Sequence, residues 1–230
     1  FDKFFNFLYP TKNEFVNYLR LSLINSFPDN HSSQLTNNHL QSLVEDTLDK
    51  IEFCFKNIRL KYYNTDNKIS FNHLNSDHMC MFLCYMGQVG YQYDYEEILL
   101  NKISYLNKIL HGLDVWFNVQ LPDVLLMVHP IGTVIGNASF SDFIEIHHNV
   151  TIGSSFSDMV YPSFGKGICL YPNSSVIGKC NIGDNVTFGI NSSIIDSNIP
   201  SNKRVLGQYP NNRIIDAKIN VVDEYFGHAK

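Results

Sequence analysis

A six-residue period in the second half of the chain restricts its fold more than any other feature. Stepping by six from Val128 passes through Val134, Phe140, Ile146, Ile152, Asp158, Phe164, Leu170, Val176, Ile182, Phe188 and Ile194, and only Asp158 is not apolar. A chain that is 44% hydrophobic does not hold such a register for so long without a structural cause. One large apolar residue per unit, with Gly, Asn or Asp between units as in Ile182-Gly183-Asp184-Asn185, predicts a triangular parallel β-helix with one unit per face. Each apolar side chain points inward and stacks on its equivalents in the coils above and below, while Gly or Asn takes the corner at low steric cost. Asp158 falls in Ser154-Ser155-Phe156-Ser157-Asp158-Met159-Val160-Tyr161-Pro162, whose small polar residues predict a loop thrown out from the column.

Before about residue 112 the apolar residues recur at helical spacing instead. Pro10 and Thr11 open a stretch with Phe15, Leu19, Leu23 and Phe27, closed by Pro28-Asp29-Asn30. Leu40, Val44, Leu48, Ile51, Phe55 and Ile58 form a second series, and segments 78–90 and 95–111 a third and fourth. The expected organisation is a helical N-terminal domain over 1–112, a β-helix over 113–200 and a C-terminal tail over 201–230. The fold class is therefore α+β.

Composition narrows the partners. A net charge of −5, from 22 acidic and 17 basic residues, provides no broad basic field for nucleic acid or an anionic membrane surface. No apolar run has the length of a membrane span, and Phe1-Asp2-Lys3-Phe4-Phe5 lacks a signal-peptide layout, although a trimmed leader stays open. Cys54, Cys80, Cys84, Cys169 and Cys180 are odd in number and lack metal-type pairing, so reduced, buried thiols in a cytoplasmic protein are expected. Parallel columns pack against copies of themselves, which makes a homotrimer or a dimer of trimers the expected assembly.

The window Met127-Val128-His129-Pro130-Ile131-Gly132-Thr133-Val134-Ile135-Gly136 carries the leading candidate for chemistry. His129 directly follows an expected inward position and precedes Pro and Gly, so it is expected to face outward at a corner where a neighbouring copy can close a cleft. A neutral imidazole there suits a general base, a role worth roughly 10² to 10⁴ in rate. A merely exposed histidine is the plainer alternative. His147 and His148 are adjacent on an expected strand and point to opposite sides, so they cannot both face one cleft. Either they help to shape the acceptor site, or one of them is the base and His129 is structural. No third ligand stands at a suitable spacing, and no metal is expected. His73, His78 and His111 are expected to cap or pack, and Asp77 to reach toward the acceptor.

His129 to Gly136 resembles the His-x-x-Gly-[Ile/Thr]-Val-[Val/Ile]-Gly segment of serine acetyltransferases and their relatives. The likeness runs upstream without a gap to Asp114, and downstream through Asn149-Val150-Thr151-Ile152-Gly153, the 154–162 loop and Ser193-Ile194-Ile195 to Pro200. It covers about residues 75 to 210. The resemblance implies a left-handed parallel β-helix of hexapeptide repeats that transfers an acetyl group from acetyl-CoA. His129 would take the proton of the acceptor, which attacks the thioester directly, and Asp114 would hold the imidazole in the right tautomer. A backbone N–H at a coil corner would stabilise the oxyanion. The acetyl-CoA arm would lie against Gly153, Gly178 and Gly189. Lys203 and Arg204 would touch its phosphates, unless they are solvated tail charges.

Two departures bear on the acceptor. Serine acetyltransferases place an aspartate before the catalytic histidine and Arg-His-Pro in the loop, where this chain has Val128 and Val160-Tyr161-Pro162. Zwitterionic serine would lose two counter-charges, each charged hydrogen bond being worth about 1.5 to 3 kcal/mol. A sugar or surface-polysaccharide hydroxyl needs neither charge, and Tyr161 could stack on a sugar face. The expected activity is O-acetylation of such a carbohydrate acceptor, with Tyr161, His147, His148 and Glu145 near it. The alternatives are serine O-acetylation with Glu145 or Asp158 supplying charge, N-acetylation of an amino sugar, and a non-catalytic β-helix scaffold.

Overall fold

The first helix begins where its capping residues dictate. In the computed structural model, which describes residues 5–7, 11–65, 68–155 and 159–227, the Thr11 hydroxyl accepts from the Glu14 amide. The Glu14 carboxylate accepts from the Thr11 amide at 2.8 Å in return, a reciprocal cap that starts α1 (Lys12–Ser26). A short α2 (Asn30–Gln34), capped by Asp29, was not anticipated from the periodicity. α3 (Asn37–Lys56), α4 (Ser76–Gln92) and α5 (Glu97–His111) follow the expected apolar series. α4 is buried on almost all sides, from His78 to Gly90, and forms the centre of this half. The helical half also contains a small unexpected sheet. In it β3 (Lys68–Phe71) lies between β1 (Phe5–Phe7), parallel to it, and β2 (Asn64–Thr65), antiparallel.

The column is wound from β4 (Asp114–Val115), β5 (Leu125–Val128), β6 (Val134–Ile135), β7 (Ser139–Phe140), β8 (Ile144–His147), β9 (Thr151–Gly153), β10 (Ser163–Phe164), β11 (Ile168–Leu170), β12 (Ser175–Ile177), β13 (Asn181–Ile182), β14 (Val186–Phe188), β15 (Ser193–Ile195) and β16 (Lys203–Leu206). β5, β8, β11, β14 and β16 make one face. A second face is β4, β6, β9, β12 and β15, and the third is β7, β10 and β13, all pairings being parallel. Leu170 pairs with Phe188 and Val176 with Ile194, a coil of eighteen residues. Where the loop intervenes, Phe140 pairs with Phe164 and Ile152 with Val176, twenty-four residues on. The loop thus adds one whole unit, and the six-residue phase survives it. Asp158 itself lies outside the described residues.

The phase does not extend back to Val134 and Val128. Met127 and Ile135 are the inward residues there, while Val134 is 42% exposed and Val128 lies on the outer side beside His147. The connection between β5 and β6 has two residues of positive φ, His129 at 49° and Gly132 at 74°, and the step between its inward residues, Met127 and Ile135, is eight instead of six. The regular hexads begin at Phe140.

Residues after 200 do more than trail the column. β16 continues the first face, β17 (Arg213–Asp216) folds back on it antiparallel, and α6 (Val221–Tyr225) returns the chain to the helical half. There the Arg59 amide donates to the Tyr225 carbonyl at 3.0 Å, and Phe226 is fully buried against Phe143, with ring centroids 5.5 Å apart. One continuous apolar core runs from Phe15 through α4 and β5 into the column, so the two halves do not pack as independent units. No helix among the described residues is long and apolar enough to cross a membrane.

His78 makes this core sensitive to acid. Its ring lies 4.8 Å from Phe55 and 4.6 Å from Tyr63, centroid to centroid, and Nδ1 accepts from the Asn72 amide at 3.2 Å. Burial lowers its pKa from 6.5 to about 4. Because the folded value is depressed, the stabilising neutral form is fully retained above about pH 6.5 and its contribution is lost as pH falls toward 4. Between pH 7.5 and 5 the folded state should lose about 2 kcal/mol from this residue. Denaturant unfolding at the two pH values should show the drop, and His78→Asn, which does not titrate, should remove that share of it.

Candidate functional site

Three chain junctions meet at one cavity. α4 starts at Ser76 with the Asn75 side chain capping the amides of Asp77 and His78, which sets Asp77 in the first turn. α5 ends at His111, and Gly112, with φ of 64° in the left-handed region, turns the chain into the column. β5 ends at Val128, and His129 takes the next corner. Asp77, His111, Gly112, His129 and Ile131 line a cavity of about 280 Å³ between these elements.

Asp77 is the residue that holds His129. Its Oδ2 accepts from the His129 backbone amide at 3.2 Å and lies 3.2 Å from Nδ1 of the ring. The carboxylate is 15% exposed and the imidazole 75%. A carboxylate on Nδ1 favours the tautomer with the proton there, so Nε2 is the nitrogen left to take a proton from a substrate. The same contact anchors His129 in a left-handed backbone conformation that a residue with a Cβ adopts only when surroundings impose it.

Asp114, expected to orient His129, lies on β4 with its side chain engaged by Lys108. Its amide donates to the Thr133 carbonyl at 2.9 Å and β4 pairs it with Val134, so the coil carries it to the second face rather than to the end of β5. Its Oδ2 accepts from Lys108 Nζ at 2.6 Å. The fifteen-residue spacing to His129 is not one turn of this coil, since the pairing partner of Asp114 stands twenty residues on. His111, expected only to cap or pack, lines the cavity instead, with Nδ1 2.8 Å from Asn107 Oδ1. Burial lowers its pKa, opposed by the negative charge of Asp77. Its position as the last helical residue before a corner glycine is the sequence signal for it.

The remaining candidates do not converge on this cavity. Glu145 and His147 share the outer side of β8, where His147 Nε2 lies 3.0 Å from Glu145 Oε1. Glu145 is 3% exposed, so it cannot serve as an open acceptor contact. His148 lies in the turn after β8, and its carbonyl accepts from the Asn173 amide. The Tyr161 ring rests on the coil at Gly136, where an added Cβ would sit 2.5 Å from Cε1. Gly153 and Gly178 stack in consecutive coils, joined by the Gly178 amide donating to the Gly153 carbonyl at 2.9 Å, and Gly178 has φ of 78°. At Gly189 an added Cβ would lie 2.7 Å from Leu206. Close coil packing therefore bears on each of these glycines. Lys203 is paired with Asp216 at 2.6 Å, and the Arg204 side chain is half-buried, its Nε enclosed and without a hydrogen-bond partner.

A parallel column of hexad coils under a helical cap, with a histidine and a carboxylate at their junction, defines a hexapeptide-repeat β-helix protein. Known proteins narrow the class. No protein-family model matches the chain. It is 27% identical over 122 residues to a putative serine acetyltransferase of Schizosaccharomyces pombe, covering 52% of this chain and 43% of that protein. With the serine acetyltransferase of Staphylococcus xylosus it shares 27% identity over 113 residues, covering 48% and 52% respectively. The matched segment thus spans about half the length of these relatives. Among solved structures, the serine acetyltransferase of Neisseria gonorrhoeae superposes with a TM-score of 0.70 at 19% identity, over 92% of this chain and 81% of that one. A serine acetyltransferase in complex with CoA superposes with a TM-score of 0.68 at 12% identity, over 90% of this chain and 86% of that one. The chain thus has the fold of these hexapeptide-repeat structures and is similar to serine acetyltransferases over about half of its length.

The two aspartates should differ in what they contribute to folding. Asp77→Ala removes a largely buried acceptor of the His129 amide and should cost about 1 to 2 kcal/mol. Asp114→Ala breaks an exposed ion pair and should cost less than about 1 kcal/mol. Denaturant titration of both variants checks the difference.

Proposed function

We propose that the chain is an O-acetyltransferase in which His129 activates a hydroxyl of the acceptor for direct attack on acetyl-CoA, and that the acceptor is serine or a closely similar hydroxy amino acid. The observation that carries this reading is the Asp77–His129 pair at the mouth of the cavity, in a chain similar to serine acetyltransferases. The acceptor O–H donates to His129 Nε2, the oxygen bonds to the thioester carbon as the proton moves to the ring, and the tetrahedral intermediate expels the CoA sulfur. That sulfur takes the proton back from His129. Asp77 stabilises the transient imidazolium and fixes its orientation, the part the sequence had suggested for Asp114.

Asp77 also alters the balance between acceptors. Val128 leaves the position before the histidine uncharged, but Asp77 places a carboxylate beside His129 that an amino acid's ammonium can use. One observation favours a sugar or polysaccharide hydroxyl as the second reading. Among the described residues lining the cavity there is no Lys or Arg to receive an acceptor carboxylate. We further propose a homotrimer, in which a neighbouring copy covers the 75% exposed His129 ring. Five buried free cysteines accord with a reducing, cytoplasmic location.

The test is CoA release from acetyl-CoA by the purified chain with L-serine, and with a panel of sugars and amino sugars. Turnover with L-serine is expected. His129→Ala should lower kcat by roughly 10² to 10⁴-fold while the oligomer persists, and Asp77→Asn should lower it by at least tenfold. Asp114→Asn should stay within a few-fold of the unmodified chain. Turnover confined to sugars would replace the acceptor assignment. An unchanged rate in His129→Ala would remove the histidine from catalysis, and absence of turnover by the unmodified chain with every acceptor would leave the scaffold reading.

A further inference from the structure

Away from the cavity, the coil register gathers three metal-type ligands that are far apart in sequence. Glu145 and His147 alternate on β8 and so project to the same outer side, and Cys169 on β11 pairs in register with Glu145. We propose that Glu145, His147 and Cys169 form a binding site for a divalent transition metal ion, with zinc the ion their chemistry fits best. One ligand atom from each residue lies within 4.8 Å of the other two, and Glu145 Oε1 is 3.0 Å from His147 Nε2. Ligand bonds of about 2.0 to 2.3 Å place tetrahedral donors roughly 3.3 to 3.8 Å apart, so small side-chain rotations close the set around an ion.

A second observation points to a cation independently of this spacing. Glu145 Oε2 is buried and has no hydrogen-bond partner, although Oε1 is engaged by His147. A buried carboxylate oxygen rarely lacks a partner, and a bound cation supplies one. The surroundings tolerate the charge. The Glu145 carboxylate and a Cys169 thiolate neutralise a dication, so Arg204, across one intervening strand from Cys169, does not face an excess of positive charge. Forming the metal–sulfur bond breaks the Cys169 S–H bond and releases its proton to solvent. His147, 15% exposed, marks the route of entry, and three protein donors leave the fourth position to water.

The mixed ligand set separates zinc from the alternatives. Thiolate with imidazole disfavours magnesium and calcium, which take oxygen donors, and one thiolate with a carboxylate lacks the soft donors that select copper(I). In register His147 pairs with Val128, the residue before His129. A metal there would pin the coil beneath the His129 corner, so its role would be to brace the column. It does not depend on what the cavity catalyses.

Cobalt(II) provides the direct test, since a tetrahedral thiolate site gives it intense visible d–d bands and a sulfur-to-cobalt charge-transfer band. The full chain, stripped with a chelator, should bind about one equivalent of cobalt with both signals, and zinc should displace it. As purified, the chain should carry about one equivalent of zinc by plasma mass spectrometry. Cys169→Ser, nearly isosteric, should abolish the charge-transfer band, and Glu145→Gln should weaken binding at least tenfold. Far-ultraviolet circular dichroism verifies that both variants are folded. Absence of cobalt bands in the unmodified chain overturns the proposal without reliance on any variant. A charge-transfer band that persists in Cys169→Ser also overturns it, by assigning the metal to another thiol.

Discussion

Everything in this molecule depends on the vertical stacking of apolar side chains along the inside of the column. Ile146, Leu170 and Phe188 lie above one another on one face and Ile152, Val176 and Ile194 on another, each fully or almost fully buried. Stacking of this kind fixes the register of every coil, since a slip by one residue would bring the outward side chains into the core. Once the register is fixed, the position of each outer residue follows from the number of residues per turn. The grouping of Glu145 with Cys169, and the pairing of Asp114 with Val134, are both consequences of that arithmetic.

The helical half adds what the column cannot make alone. A regular coil presents the same outline at every level, so it offers shallow corners and no enclosed site. The ends of α4 and α5 break that uniformity at the first coils, where Asp77 and His111 reach the corner occupied by His129. The core runs without interruption from one half to the other, which makes the distance between Asp77 and His129 a property of the packed whole. Neither helix nor coil carries the site by itself.

Much of the fold was readable from the chain because a single period governs it. Among the described residues from Phe140 to Ile194 the inward positions stand where a step of six puts them, and the long helices follow their apolar series. The readings at Val128 and Val134 failed because the corner at His129 and Gly132 holds extra residues, a local backbone matter that periodicity does not register. The small sheet of the first half escaped because its strands are two to four residues long, too short to show alternation. At the site, His129 was legible from its motif. The resemblance implied Asp114 as its partner, whereas the carboxylate that contacts it, Asp77, comes from the start of α4, fifty-two residues earlier, through tertiary packing that no spacing reveals. Likewise a third ligand for Glu145 and His147 could not be seen along the strand, because Cys169 arrives from the next coil.

The antiparallel turn at the end of the column has a consequence for assembly. A parallel column finishes in a strand whose free amides and carbonyls would accept another strand in the same direction, the geometry by which solenoids join end to end into fibrils. Here β17 runs back along β16, its Arg213 opposite Leu206 and its Asp216 opposite Lys203, and occupies those groups with a strand of the wrong polarity for propagation. The hairpin therefore closes that edge of the face to a further parallel strand.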